Sequence, residues 1–250
     1  MNVLREIGLK YGTDKVQHGY MEVYSEYFSR FREKEINILE IGVHGGASIR
    51  TWREFFPNAN VIGIDIEDKT SFFRSLRGRN RFFLADQGDE KHLDFICETI
   101  KRETNSGFDI VIDDGSHFQY DMMVSLGNIF PHMNSGGVYI IEDMCRAESL
   151  KEGGSRWWGS ADENHITTLH PGLALSVSMP KNWLPTGVKD IEHSAERTIE
   201  RFVKTKEFTS AFLSKQQCGY ITENSSLVRF YKALTPPISG TSSIAVLIKK

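Results

Sequence analysis

The sequence predicts an α/β fold, in which a doubly wound, mostly parallel sheet carries helices on both faces and an antiparallel hairpin at one edge. Three observations support this prediction. Apolar, strand-like runs alternate with helix-like stretches from residue 36 to about residue 143. The runs are continuously apolar, which is typical of parallel strands buried on both faces. Two further strand patterns near the C-terminus are joined by the segment TPPISGTS.

The strand patterns fall into two groups. Five precede residue 144, and two follow the long segment after it. The five predicted strands are 36–42, 60–65, 81–86, 108–113 and 137–143, and the C-terminal pair is 219–234 and 243–249. Right-handed crossovers are expected between the parallel strands.

Helical patterns occupy the intervals between these strands. They are predicted at 20–28, 48–56, 68–77, 89–104, 119–133 and 190–206. Residues 1–35 are predicted to form an N-terminal cap segment and residues 144–189, which show little periodicity, a substrate lid insertion. The tryptophans of this insertion, Trp157, Trp158 and Trp183, either stack on an acceptor or pack the lid. The whole chain, 1–250, is predicted to be one domain.

Composition limits the function classes. The chain has 250 residues with 40% hydrophobic and 25% charged residues, as in soluble globular proteins. Its 30 Lys+Arg and 33 Asp+Glu give a net charge of −3, which argues against a protein that coats nucleic acid or an anionic membrane. The three separated cysteines favour a reducing compartment, and no signal peptide or membrane span is apparent. A cytoplasmic protein is therefore expected.

A glycine-rich turn follows the first predicted strand. Residues 40–46 read EIGVHGG, and Asp65 ends the second strand about 20 positions later. Glycines let the backbone approach a ligand closely, and an acid at Asp65 suits two ribose hydroxyls. The dinucleotide pattern G-x-G-x-x-G fails at His44, and Glu40 suits a cationic ligand. The segment predicts an adenosine-type cofactor, with a simple tight turn as the alternative.

Four carboxylates gather at the ends of the fourth and fifth strands. Asp113 and Asp114 end one strand, and Glu142 and Asp143 end the other. Such crowded like charges repel, and a divalent cation relieves the repulsion. The ligands are hard oxygens, which suit Mg²⁺, Ca²⁺ or Mn²⁺ better than zinc. We assign Asp114, Glu142 and Asp143 to the metal and Asp113 to the cofactor, with helix capping by these acids as the alternative.

A histidine lies close to this acidic cluster. His117 follows Asp114 at the junction of a loop and a predicted helix. A neutral imidazole in that position is suited to removing a proton from a reacting group. The sequence therefore predicts His117 as the catalytic base.

Several motifs carry a resemblance to a known family. They are YGTDK (11–15), residues 18–20, LEIGVHGGAS (39–48), DDGSH (113–117) and GGVYIIED (136–143). With them the sequence resembles the macrocin and mycinamicin sugar O-methyltransferases of macrolide biosynthesis, which are class I, Rossmann-like methyltransferases. The resemblance implies Mg²⁺-dependent transfer of a methyl group from S-adenosylmethionine to a hydroxyl of a sugar or of a glycosylated or nucleotide-linked small molecule.

The resemblance also implies roles for individual residues. The family's metal ligands fall on Asp114, Glu142 and Asp143, and its catalytic base falls on His117. Its cofactor contacts fall on Glu40, Gly42, Ser48, Asp65, Asp86, Gln87 and Asp113. The YGTDK segment is expected to fold over the cofactor, and a homo-oligomer without nucleic-acid or membrane partners is expected.

Other functions remain open from the sequence. A related methyltransferase with a phenolic or amine acceptor is the main alternative. A nicotinamide-dependent oxidoreductase is opposed by the absent dinucleotide pattern, and a non-catalytic binding module by the complete set of chemical positions. The pathway is either the tailoring of a natural product or the decoration of a polysaccharide.

Overall fold

The computed structural model describes residues 2–117, 119–144, 194–232 and 243–250. The predicted lid beyond Met144, with its three tryptophans, lies outside the described residues. The segment TPPISGTS lies outside them as well. No helix of the described ranges has the length and hydropathy needed to span a membrane.

The described strands form one seven-stranded sheet. They are β1 (Asn37–Ile41), β2 (Asn60–Asp65), β3 (Arg79–Leu84), β4 (Phe108–Asp113), β5 (Met133–Glu142), β6 (Ser225–Lys232) and β7 (Ser243–Lys249). Their order across the sheet is β3-β2-β1-β4-β5-β7-β6. β7 runs antiparallel to both β5 and β6, and the other neighbours are parallel. The predicted fold class is confirmed.

Helices cover both faces of this sheet. They are α1 (Val3–Tyr11), α2 (Tyr20–Phe28), α3 (Ala47–Phe55), α4 (Thr70–Ser75), α5 (Glu90–Thr104), α6 (Gln119–Ile129), α7 (Ala195–Thr205) and α8 (Lys215–Asn224). The first four pack into one apolar core and the last four into the other. Alternation along β1 serves both cores, because Leu39 and Ile41 enter one and Ile38 enters the other.

The sheet fixes the position of the candidate site. β1 lies between β2 and β4, so the winding direction of the chain reverses at β1. Ligands of doubly wound sheets bind at such a switch point, beyond the carboxyl ends of the strands. The segments that follow Ile41 and Asp113 therefore meet at this edge.

Two helices depart from the sequence prediction. The expected strand at 219–234 is wrong in its first part, because residues up to Asn224 are helical and β6 begins at Ser225. Ser214 and Gln217 form a reciprocal capping box that starts this helix. Helix α1 was not predicted, although Asn2 caps it and Gly12 ends it with a φ of 70°.

Candidate active site

The turns after β1 and β4 are in direct backbone contact. Gly42 has a φ of +86°, and a β-carbon on it would lie 2.0 Å from the backbone oxygen of Asp114. Glycine is required here both by the left-handed conformation and by the lack of space. The amide of Asp114 in turn donates to the carbonyl of Ile41, at 3.0 Å. The glycine turn and the DDGSH segment therefore form one unit.

Glu40 is a buried carboxylate beneath the glycine turn. Its Oε2 accepts hydrogen bonds from Ser48 Oγ at 2.9 Å and from Trp52 Nε1 at 3.0 Å. Oε1 is buried without a hydrogen bond within the described structure and lies 3.5 Å from Lys15 Nζ. Burial raises the pKa of Glu40 to about 7, although Lys15 opposes this. A buried carboxylate oxygen without a hydrogen bond can accept one from a ligand that carries a hydrogen-bond donor or a positive charge.

Two other predicted cofactor residues, Asp65 and Asp86, lie at the end of β2 and in the turn after β3. Asp65 Oδ2 accepts from the amides of Val43 at 2.9 Å and His44 at 3.0 Å, so it shapes the glycine turn. Asp86 Oδ1 accepts from the amide of Gly88 at 2.8 Å. These carboxylates retain further acceptor capacity, because each oxygen has two lone pairs.

Gln87 joins the end of β3 to the end of β4. Its amide nitrogen donates to Asp113 Oδ1 at 3.0 Å, and its amide oxygen accepts from the backbone of Ser116 at 2.7 Å. Asp113 Oδ2 is buried and has no hydrogen-bond partner in the described ranges. Burial raises the pKa of Asp113 to about 7. Gln87 and Asp113 thus hold the turn in place, and one oxygen of Asp113 is left for a donor.

Lys15 is a site residue that sequence reasoning did not assign. It belongs to the YGTDK segment and is only 2% exposed. Its ammonium donates to Asp114, and to Glu142 at 2.8 Å and 3.0 Å. Burial lowers the pKa of Lys15, but the charges of Asp114, Glu142 and Glu40 outweigh it and hold that pKa well above its usual range. Burial in turn raises the pKa of Glu142 to about 7 against the influence of Lys15.

Tyrosines of α2 hold two acids of the site. Tyr20 donates to Asp143 and Tyr24 donates to Glu142. Asp143 also lies 3.5 Å from Nδ1 of His18. Burial tends to raise the pKa of Asp143. The hydrogen bond from His18 opposes this, and the pKa of Asp143 lies below its usual value. The N-terminal segment therefore packs directly on the acidic cluster.

Substitution of Tyr24 by phenylalanine is expected to lower the free energy of unfolding by about 1–3 kcal/mol, because buried Glu142 loses a donor. Urea denaturation at pH 7.5 measures this effect. Tyr139→Phe is the matched control, since the hydroxyl of Tyr139 is equally buried but has no hydrogen-bond partner in the described part of the chain. It should leave stability unchanged or raise it. Equal losses from the two substitutions would contradict the assigned hydrogen bond.

Three residues of the predicted chemical site converge. Ligand atoms of Asp114, His117 and Asp143 lie within 4.8 Å of one another, and His117 Nε2 is 3.7 Å from Asp114 Oδ1. The two carboxylates supply the oxygen donors that suit a hard divalent cation, and the imidazole lies beside them. Glu142, predicted as a third ligand, contacts Lys15 and Tyr24 instead of joining this group.

Both loops that supply these groups have unusual backbone conformations. His117 has a φ of 58° and Asp143 a φ of 47°. Non-glycine residues rarely adopt such angles, and those that do cluster at functional sites. The loops are thus fixed in conformations that bring the carboxylates and the imidazole together.

Comparisons with known proteins place the chain among sugar O-methyltransferases. No protein-family model matches the chain. The mycinamicin VI 2''-O-methyltransferase of Micromonospora griseorubida is 38% identical over 187 residues, which cover 70% of this chain and 43% of the relative. The 8-demethyl-8-alpha-L-rhamnosyl tetracenomycin-C 2'-O-methyltransferase of Streptomyces olivaceus is 35% identical over 149 residues, 56% of this chain and 37% of the relative.

A solved structure is also similar along almost the whole chain. It is the MycE methyltransferase from the mycinamycin biosynthetic pathway in complex with Mg, SAH and mycinamycin VI, with a TM-score of 0.66 and 26% identity. The similarity covers 98% of this chain and 54% of that chain. The chain is a homologue of the macrocin and mycinamicin sugar O-methyltransferases. The resemblance inferred from the sequence is confirmed, and so is the class I methyltransferase fold.

The chain spans less than half the length of the curated sugar O-methyltransferases it matches. The homology covers the fold that holds the glycine turn and the acidic cluster. It also opposes the nicotinamide-dependent alternative, because these relatives are methyltransferases.

Proposed function

We propose that this protein is a divalent-cation-dependent O-methyltransferase, which moves the methyl group of S-adenosylmethionine to a hydroxyl of a sugar-containing small molecule. One observation carries the proposal. The acid and imidazole group of Asp114, His117 and Asp143 lies directly beside the Gly42 turn and its buried carboxylate, Glu40. A cation site and a cofactor turn in backbone contact can bring an acceptor hydroxyl to a methyl donor.

The cofactor residues are proposed on the basis of their place at the switch point of the sheet. Oδ2 of Asp113 and Oε1 of Glu40, which forms an ion pair with Lys15 at 3.5 Å but no hydrogen bond, are buried acceptors for the cationic and hydrogen-bonding parts of S-adenosylmethionine. The complete proposed set is Glu40, Gly42, Ser48, Asp65, Asp86, Gln87 and Asp113. Ser48 and Gln87 act through Glu40 and Asp113, because they orient these carboxylates.

The metal site is proposed on Asp114 and Asp143, with Glu142 as the third residue of the predicted set. A dication held there, Mg²⁺ or another hard cation, would lower the pKa of an acceptor hydroxyl. Asp114 and Asp143 follow the adjacent parallel strands β4 and β5, so both lie at the same edge of the sheet. Glu142 supports the site through Lys15 and Tyr24 in the described structure.

His117 is proposed as the general base. It takes the proton of the acceptor hydroxyl as the oxygen attacks the methyl carbon and S-adenosylhomocysteine departs. Nε2 of His117 lies 3.7 Å from Oδ1 of Asp114, which places the imidazole beside the proposed cation site. The protein thus positions and deprotonates the acceptor, while the reactivity of the methyl group belongs to the cofactor.

The acceptor class follows from the relatives. The Streptomyces olivaceus relative acts on a rhamnosyl tetracenomycin, and MycE was solved with mycinamycin VI. A glycosylated small molecule is therefore the proposed acceptor, and a phenolic or amine acceptor remains the alternative. The predicted lid, the homo-oligomer, the absence of nucleic-acid partners and the cytoplasmic location remain predictions.

Removal of divalent cations is expected to lower methyl transfer by about a hundredfold or more, because the acceptor hydroxyl is a weak nucleophile. Purified protein, labelled S-adenosylmethionine and a panel of glycosides are assayed by mass spectrometry after EDTA treatment. Mg²⁺ in excess of EDTA should restore the rate. Stabilisation by S-adenosylhomocysteine but not by NAD in a thermal-shift assay checks the cofactor separately. Full activity in EDTA with a phenolic acceptor would support the alternative.

A further inference from the structure

One buried lysine contacts carboxylates from three strands. The ammonium of Lys15 donates to Asp114 and Glu142, and it lies 3.5 Å from Oε1 of Glu40. These carboxylates stand at or near the carboxyl ends of β4, β5 and β1. Lys15 itself lies in a short helical turn before α2. A single positive charge from the N-terminal segment therefore neutralises part of a group of three acids, of which Glu40 and Glu142 are buried and Asp114 is partly exposed.

Asp114 faces two different groups through its two oxygens. Its Oδ2 accepts from Lys15, whereas its Oδ1 faces His117 at 3.7 Å. Asp114 is also a member of the group with Asp143 that can hold a cation. The ammonium thus already contacts a carboxylate that a divalent cation would use.

This shared carboxylate has an electrostatic consequence. Two cations beside one acid repel each other, and the repulsion is weakly screened where water is excluded. Lys15 is almost fully buried, so water screens its charge less than it would screen a surface lysine. Two of the three N–H donors of the ammonium go to Glu142, at 2.8 Å and 3.0 Å, so Lys15 stays anchored when its contact with Asp114 is weakened.

We propose that Lys15 is a resident cation, which competes with the divalent cation for Asp114 and thereby weakens binding of that cation. The inference rests on the proposed function for the place of the cation. In the metal-free protein the ammonium neutralises Asp114. Glu142 and Glu40 remain as partners of the ammonium when a divalent cation takes Asp114.

The same contacts link the cation site to the N-terminal segment. Tyr20 and Tyr24, which follow Lys15 in the chain, hold Asp143 and Glu142. Because coupling between two equilibria is reciprocal, the packing of this segment and the binding of the cation influence one another. Lys15 connects the two, because it belongs to the N-terminal segment and its charge acts on the cation site.

The test measures binding of Mn²⁺ alone, without turnover, by calorimetry and by the electron paramagnetic resonance of the bound ion. Lys15→Met removes the charge and keeps an unbranched apolar chain. It should bind Mn²⁺ about tenfold or more tightly than the wild type. Lys15→Arg keeps the charge and should bind within about threefold of the wild type. Unchanged or weaker binding by a folded Lys15→Met protein would overturn the proposal, because a purely structural lysine predicts that result.

A second pair of variants is used if Lys15→Met does not fold, because that substitution leaves the buried acids Glu40 and Glu142 without their cation. The double variant Lys15→Met/Glu142→Gln is then compared with Glu142→Gln. Tighter Mn²⁺ binding by the double variant supports the competition, and equal or weaker binding overturns it. Absence of Mn²⁺ binding in the wild type and in every variant overturns the proposed cation site itself, and this inference with it.

Discussion

Replacement of His117 by alanine is expected to lower kcat by about a thousandfold, within the usual range for the loss of a general base. The affinity for S-adenosylhomocysteine should stay within about threefold of the wild type, because the imidazole lies beside Asp114 in the acidic cluster. Steady-state kinetics with the sugar acceptor give the first quantity, and calorimetry gives the second.

His18→Ala is the informative control for this substitution. His18 is also half-buried beside the cluster, but it contacts Asp143 and lies on the N-terminal segment. A positioning role predicts a much smaller loss of kcat than for His117→Ala. The assignment of His117 as the base is contradicted if both variants lose the same activity, or if His117→Ala loses cofactor affinity in step with turnover.

The strands and the acids at their ends could be predicted from the sequence for a physical reason. Parallel strands are buried on both faces, so their apolar runs stand out, and the residues that follow each run must meet at one edge. This logic predicted that acids of neighbouring strand ends would lie close together, and ligand atoms of Asp114 and Asp143 do lie within 4.8 Å of each other.

The contacts of the N-terminal segment with the acidic cluster could not be predicted in the same way. Lys15 contacts Asp114 and Glu142, which follow it in the chain by 99 and 127 positions, and no local pattern encodes such a pairing. In the sequence, the lysine of YGTDK looks the same as an exposed lysine, because its burial depends on how the whole segment packs. The role of Glu142 changed for the same reason, because its partners lie on that segment.

Helix α8 was misassigned because its pattern is ambiguous. Its buried positions are only Cys218 and Ile221, and the segment runs directly into the apolar strand β6. A short apolar stretch before a strand favours the extended interpretation when periodicity alone decides. The capping pair Ser214 and Gln217 was the available signal for a helix start.

Gly42→Ala is expected to disable both parts of the site at once. The new methyl group would lie 2.0 Å from the backbone oxygen of Asp114 and 2.9 Å from the α-carbon of Gly115. Both neighbours are backbone atoms, so relief requires one of the two loops to move. With the strain of alanine at a φ of +86°, we expect a loss of about 2–4 kcal/mol in the free energy of unfolding.

Gly45→Ala is the matched control within the same turn. A β-carbon there meets nothing within 4 Å, and we expect a change in stability within about 0.5 kcal/mol. Chemical denaturation measures both variants, and calorimetry measures their binding of S-adenosylhomocysteine and Mn²⁺. Since Gly42 touches the loop that carries Asp114, its substitution should weaken both ligands by about tenfold or more, whereas Gly45→Ala weakens neither. If Gly42→Ala loses cofactor binding but binds Mn²⁺ normally, the two turns are not one unit. The contact between Gly42 and Asp114 would then have no part in joining the methyl donor to the cation site.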